Sequence, residues 1–528
     1  MDRLLEFHRR FAPVLVLVVA VACAPTPAPP GADEAPFAGD DAADVFAAGY
    51  GSVADKYIEK ILPSSLALEG MRGLASIDPE LSVTRSGDLI VLASSDEKTA
   101  DFPAPADNDV PGWAALTAGV VEAGRKASNE LRTASPEKIY EAVFDGALSN
   151  LDIFSRYAGA EEAGKNRARR EGFGGAGITV DVNVKDGVVR VKSVTPGAPA
   201  FLAGVKPGDR ITHVGDVSVT GLGSADINNQ LQGQIHSVVT ITVLRDGAAG
   251  PVEFVLERTH IIPPTVIYGY KKGLVFLKIT GFNQNTAASL SDKLGKALRE
   301  HGGEIKGLVL DMRGNPGGLL KEAIKAADLF LRRGDIVNTV GRHPHSIQHY
   351  KADGDDMANG LPLAVLMDGK SASSAEVLAA ALQDHGRAVI IGTSSYGKGT
   401  VQTVIKLPNG GEITLTWSRL IAPSGYALHG LGVLPAVCTS GRKAGGKSAI
   451  LDPIEKSKTA TAMEDWRKAS PDDASRREKL HSSCPAERRT QALEVDVARR
   501  LLLDNSLYES ALDLTALIAE AAGDAKNP

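Results

Sequence analysis

The sequence predicts a multidomain α+β protein, with an α/β core, a separate β-rich domain, and helical regions before and after them. Three observations lead there. At 528 residues the chain is several times longer than one domain of roughly 150 residues. The spacing of apolar residues changes from helical to alternating near Gly172. Beyond Arg258, strand-like apolar runs alternate with amphipathic stretches, the pattern of a largely parallel sheet. With 43% hydrophobic and 23% charged residues the chain is ordinary globular material. Its 58 basic and 64 acidic residues and its 5% aromatic content argue against nucleic acid as a partner. Three cysteines exclude a disulfide scaffold and a four-thiolate zinc site, and nothing in the sequence implies a metal or a cofactor.

The first element is an address. Arg3, His8, Arg9 and Arg10 precede an apolar run from Phe11 to Ala22, too short to span a bilayer but suited to a secretory signal. It ends in Ala20-Val21-Ala22-Cys23, which resembles the bacterial lipobox, so residues 1–23 read as a lipoprotein signal with Cys23 lipidated. Alanine is uncommon at the first position of that motif, which leaves cleavage without lipidation open. Pro25, Pro27, Pro29 and Pro30 make residues 24–43 an extended tether. Export would leave Cys438 and Cys484 in an oxidising compartment, as a disulfide or as two thiols; the disulfide is the expectation.

Residues 44–171 read as helical. Phe46, Tyr50, Val53, Tyr57 and Ile61 recur at helical spacing, and so do Ile139, Val143, Phe144 and Leu148. The polar stretch Thr99 to Gly112 reads as a loop between them. Residues 172–258 read as the β-rich domain, with strands over 178–182, 188–194, 211–214 and 238–244. Turns at Asp186-Gly187, Pro207-Gly208-Asp209 and Asp246-Gly247 separate them. In residues 259–440, strands at 274–279, 307–311, 363–367 and 388–392 alternate with helices at 286–300, 319–331 and 374–383. Residues 441–528 read as a polar, weakly ordered extension closed by an amphipathic helix at 493–503.

Chemistry concentrates at Ser371-Ala372-Ser373-Ser374-Ala375-Glu376, where strand 363–367 turns into a helix. A serine there sits beside unbonded N–H groups and the positive end of the helix, a field that stabilises an alkoxide and an oxyanion. Taken alone, it reads as a helix cap. Lys398, in Ser395-Tyr396-Gly397-Lys398-Gly399-Thr400 just past the next strand, changes that balance. A lysine serves as general base once burial lowers its pKa, and Gln402 could hold the amine without adding charge. Gly392 to Lys398 begins like a phosphate-binding loop, but Gly399 stands where Ser or Thr must bind Mg²⁺, and a strand follows instead of a helix. Ser395-x-x-Lys398 has the spacing of penicillin-binding enzymes on loop and strand, where a helical turn is required. His385 is a rival base, although its place before Gly386 suits a helix C-cap. Asp311 to Gly318 is a further strand end, read as a structural Asp311–Arg313 pair or as a turn presenting an N–H to an oxyanion.

These segments resemble, in order, those of the carboxy-terminal-processing (tail-specific) proteases. The match comprises Gly175-Ala176-Gly177-Ile178, Lys206 to Arg210, Asp311 to Gly318, Ser371 to Glu376, Gln383 to Arg387, Gly397 to Gln402, Pro423 to Gly425 and Gly432 to Pro435. The resemblance implies a crotonase-like (ClpP-like) protease core and an inserted PDZ domain. It implies Ser373 as nucleophile, Lys398 as base, Gln402 as its orienting partner, and the amides of Gly318 and Ser374 as the oxyanion hole. The family's 25-residue step to the base selects Ser373 over its neighbours. Gly175 to Gly177 would bind the terminal carboxylate of a protein or peptide tail, with Ile178 lining the last side chain's pocket. An exported, periplasmic endopeptidase follows as the expectation, held at the membrane if Cys23 carries lipid. An adaptor protein and self-association stay open, and the rivals are a silent PDZ scaffold and a cell-wall peptidase. The chain departs from the family at Leu151-Asp152-Ile153-Phe154-Ser155, where Pro and His are usual in the middle, and at Ala436, where Asp is usual.

Overall fold

The structure is a computed structural model that describes residues 37–95, 97–183, 187–455, 459–470, 473–489 and 492–516. The signal segment, Cys23 and most of the tether lie outside the described residues.

The central sheet has the order Val266–Lys271, Leu274–Ile279, Gly307–Asp311, Leu363–Met367, Val389–Gly392, Val437–Cys438. Its first pair is antiparallel and the rest are parallel. The middle strands are apolar without alternation because both of their faces are covered. Leu308, Leu310 and Val365 face one cluster with Leu290, Leu294 and Leu378, from helices Thr286–His301 and Ser374–Asp384. Val309, Leu366 and Ile391 face a second cluster with Val497 and Leu501 of helix Ala492–Leu502. Ser374–Asp384 is buried all round, so the turn that begins it is held from every side.

A second, antiparallel sheet runs Gln348–Ala352, Gly334–Val340, Glu412–Ile421, Thr400–Lys406, with Arg156–Ala158 paired to Glu412–Ile421. The N-terminal helices close its far face: Phe46, Tyr50 and Phe144 share a cluster with Ile405, Ile413 and Leu415. Burial of such side chains contributes about 1.5–3 kcal/mol each, so this region is core rather than a loose collar.

The β-rich domain has the order Val252–Glu257, Val238–Leu244, Arg210–Val214, Val188–Val194, Ile178–Asn183, all antiparallel. It has its own core around Val191, Ile211, Ile241 and Leu256. Phe173–Gly175 pairs with Thr259–Ile261, so the chain enters and leaves the domain side by side.

Three expectations fail. The region 81–103, within the stretch read as helical and loop, is a meander of Leu81–Ser86, Leu89–Ser94 and Glu97–Pro103. A helix, Val110–Ala127, starts inside the expected loop; Pro111 sits in its first turn, where a missing N–H costs nothing, and Asp109 caps Gly112 at 3.0 Å. The polar tail holds helices Gly446–Glu455, Thr459–Arg467 and Ala474–His481, and Trp466 within it is fully buried and donates to the Gly432 carbonyl. Cys438 and Cys484 are bonded, with Cα atoms 5.9 Å apart, and join this tail to the last strand of the central sheet.

Candidate active site

Ser373 follows strand Leu363–Met367 and precedes helix Ser374–Asp384, with φ 55° and ψ −118°. A side chain at this φ is strained, and the turn is wedged in place by its neighbour. Gly317, at φ +99°, lies so close that a Cβ there would stand 2.8 Å from the Ala372 carbonyl and from the Ser373 Cβ. The Ala372 amide also donates to the Asn315 carbonyl at 3.0 Å.

The three serines of this turn differ in what their hydroxyls do. Ser371 Oγ donates to the Met312 carbonyl at 2.9 Å, and Ser374 Oγ to the Gly318 carbonyl at 2.8 Å. The Ser373 hydroxyl bonds no protein group among the described residues; it does not cap its helix, and Ser373 lines a cavity of about 460 Å³. Capping is done by Glu376, whose Oε2 accepts the Ser373 amide at 2.6 Å. The helix-cap alternative therefore fails for Ser373 on its own geometry. The amides of Gly318 and Ser374 border the same cavity and donate to no protein acceptor among the described residues.

Lys398 lies beyond strand Val389–Gly392, the parallel neighbour of strand Leu363–Met367 that leads to Ser373, and lines that cavity too. Its loop is pressed against residues 428–430: a Cβ on Gly399 would come within 1.8 Å of the His429 amide nitrogen, so only glycine fits. The Lys398 ammonium lies 4.9 Å from the ring centre of Phe154. Burial, aided by the charge of Arg156 and opposed by Asp152 and Glu376, holds its pKa below the ordinary lysine value. That is the direction a general base requires.

Glu376 connects the two halves of the site and was missed as a functional residue, although its spacing from Ser373 is that of a capping box. It is fully buried. Its carboxylate accepts from the amides of Ser373, Gly397 (2.6 Å) and Lys398 (3.0 Å) and from the Ser395 hydroxyl (2.5 Å). Burial pushes its pKa up to about 7 against the pull of those four donors.

Gln402 lines the cavity, but its amide nitrogen donates to Thr400 Oγ1 at 2.8 Å and Thr416 Oγ1 at 3.3 Å. Among the described residues it makes no hydrogen bond to Lys398, so the expected orienting contact is absent here; strand register turns the amide toward the neighbouring threonines. His385 sits at the opposite end of helix Ser374–Asp384 from Ser373 and bonds the Asp335 carbonyl. Twelve positions separate it from Ser373, roughly 18 Å along the axis, which removes it as a base. Asp311 and Arg313 form an ion pair at 2.7 Å that extends to Glu494 at 3.0 Å, a structural role.

In the β-rich domain, Gly175 is tied into the ladder opposite Thr259, while the Ala176 and Gly177 amides donate to no protein acceptor among the described residues. Ile178 begins an edge strand and packs on the core that holds Ile227 and Leu231 of helix Ser224–Leu231.

Residues 273–438 match the model of peptidase family S41, and residues 190–245 match that of the PDZ domain. A probable CtpA-like serine protease of Staphylococcus aureus is 32% identical over 315 residues, 59% of this chain and 62% of that protein. Among solved structures, a photosystem II D1 C-terminal processing protease aligns with 74% of this chain and 91% of its own at 25% identity and a TM-score of 0.37. The PDZ domain of a carboxy-terminal protease from Vibrio cholerae, in complex with peptide, aligns with 17% of this chain and 96% of its own at 27% identity and a TM-score of 0.16. A carboxy-terminal-processing protease of Bartonella bacilliformis is 36% identical over 306 residues, 57% of this chain and 69% of that protein. A match of that identity over more than two thirds of the Bartonella protein identifies the chain as a member of the carboxy-terminal-processing proteases of peptidase family S41, and so as a serine-type peptidase.

Proposed function

We propose that the chain is an exported endopeptidase that captures C-terminal tails through its PDZ domain and cuts proteins with a Ser373–Lys398 dyad. One observation carries the dyad: the one hydroxyl of the turn that has no protein partner among the described residues shares a cavity with two amides likewise unbonded among them and a lysine of lowered pKa. Neutral Lys398 takes the proton of Ser373 as Oγ attacks the scissile carbonyl. The amides of Gly318 and Ser374 receive the tetrahedral oxyanion, a contribution worth about 3–4 kcal/mol per donor in comparable sites. The C–N bond then breaks, and the Lys398 ammonium passes its proton to the leaving amine. Water, deprotonated by the same amine, hydrolyses the acyl-serine.

Tail capture is supported by the edge strand at Ile178 and the unbonded Ala176 and Gly177 amides, which suit an added strand ending in a carboxylate. Export is supported by the signal-like N-terminus and by a disulfide that suits an oxidising compartment; lipid on Cys23 would give palmitate incorporation that Cys23→Ala abolishes. The deciding experiment is labelling with a serine-reactive probe beside turnover of an unstructured peptide. Ser373→Ala should lose both, and Lys398→Ala should lose turnover by at least about 10³-fold with the fold retained. Turnover retained in the lysine variant ends the dyad.

A further inference from the structure

We propose that the catalytic cleft selects polypeptide segments with acidic residues on both sides of the scissile bond, using Lys370 and Arg488 on one side and Arg156 and Arg169 on the other. The inference rests on the protease reading above and names its substrate class.

Two cavities meet at Lys398. One, of about 460 Å³, holds Ser373 and is lined by Arg156 and Arg169; the other, of about 520 Å³, borders Ala372 and is lined by Lys370 and Arg488. Neither wall carries a carboxylate, in a chain whose acidic residues outnumber its basic ones 64 to 58. Arg170, which also lines the first cavity, shares the buried Glu412 with Arg167, at 2.9 and 2.8 Å, so that cluster keeps one net positive charge. The four cleft cations are exposed, and among the described residues none forms an ion pair. Arg169 donates to the Asn166 side-chain oxygen at 3.3 Å, and Arg488 lies over the Tyr396 ring. Lys370 leaves a turn whose amide is fixed by Asp368 at 3.0 Å, so its amine projects from a rigid base. The carboxylates nearby in the chain do not line either cavity: Asp368 is buried and accepts the amides of Gly314, Lys370 and Ser371 through Oδ1, and Glu487 pairs with Arg489. Asp152 accepts from Thr416 and Ser155 and lines a separate cavity, and Glu376 is sealed beneath the loops. Uncompensated cations flanking a cleft attract anionic chain and repel cationic chain.

The test uses three fluorogenic peptides with the same scissile pair and either Asp, Asn or Lys placed two and three residues to each side. At low salt the Asp peptide should be cut with a kcat/KM roughly tenfold above the Lys peptide, with Asn between. About 0.5 M salt should shrink that ratio to near twofold. Lys370→Glu combined with Arg488→Glu should pull the Asp-to-Lys ratio to one or below; the ratio is internal to each enzyme, so partial loss of folded protein does not alter it. Equal cutting of all three by the unmodified protein overturns this inference and leaves the protease reading standing. Failure to cut any of them overturns both.

Discussion

In the central cleft, the amides of Gly318 and Ser374 border the cavity of Ser373; in the PDZ domain, those of Ala176 and Gly177 stand at the head of an edge strand. All four lack a protein acceptor among the described residues, so each pair can hold a negatively charged oxygen. Their surroundings differ. The first pair has a hydroxyl, a helix N-terminus and a half-buried amine around it. The second has Ile178 and a core of Val, Ile and Leu, with neither nucleophile nor base. An unbonded amide pair is a binding device, and it becomes a catalytic one only where a nucleophile and a proton acceptor are held beside it. For the proposed Ser373–Lys398 pair Glu376 does the holding, by gripping the amides of both residues.

The sharpest test of that contrast removes the grip. Glu376→Gln replaces a group that, once ionised above its pKa of about 7, only accepts from its four donors with one that also donates; above that pH kcat should fall by about 10²-fold while KM moves little. An unchanged kcat would show that the two loops hold their places without it. The next test disables the other amide pair. Gly177 has φ +77°, and a Cβ there would meet Ala198 Cβ at 2.3 Å, so Gly177→Val should deform the turn. KM for a protein with an apolar C-terminal tail should rise about tenfold, and cleavage of a short internal peptide should change far less. Equal changes in both would mean that the two sites do not divide the work.

The smallest expected effect is electrostatic. In the proposed dyad, activity requires neutral Lys398, so the rate should rise with pH through its pKa. Arg156 lowers that pKa; Arg156→Gln lets the amine keep its proton longer and should move the rising limb to higher pH, a small effect for an exposed charge. A limb that stays put, or moves down, would remove Arg156 from the tuning of the base.

Much of the core was legible because its strands are short apolar runs bounded by turn residues. Leu274–Ile279, Gly307–Asp311 and Leu363–Met367 stand where the run lengths put them. The meander at 81–103 was hidden although Leu89-Ile90-Val91-Leu92-Ala93 is an apolar run of strand length, because the helical periodicity on either side extends the helical reading across 44–171, with only Thr99 to Gly112 set apart as loop. The helix at Val110–Ala127 was obscured by prolines that start it rather than break it. The tail helices escaped because charged composition conceals single anchors such as Trp466 and Leu480.

Within the candidate site, Ser373, Lys398 and the Gly318 turn could be named from motif order, since each lies at a strand end whose position the chain's own periodicity sets. Two things were decided only by tertiary packing. The Phe154 ring beside Lys398 comes from a segment far away in the chain, and the amide of Gln402 turned to Thr416 because of the pairing between two strands. Local sequence determines which backbone turns form and which groups they present. Which distant side chain desolvates an amine, and which carboxylates are kept away from a cleft, depends on contacts between segments that sequence spacing does not encode.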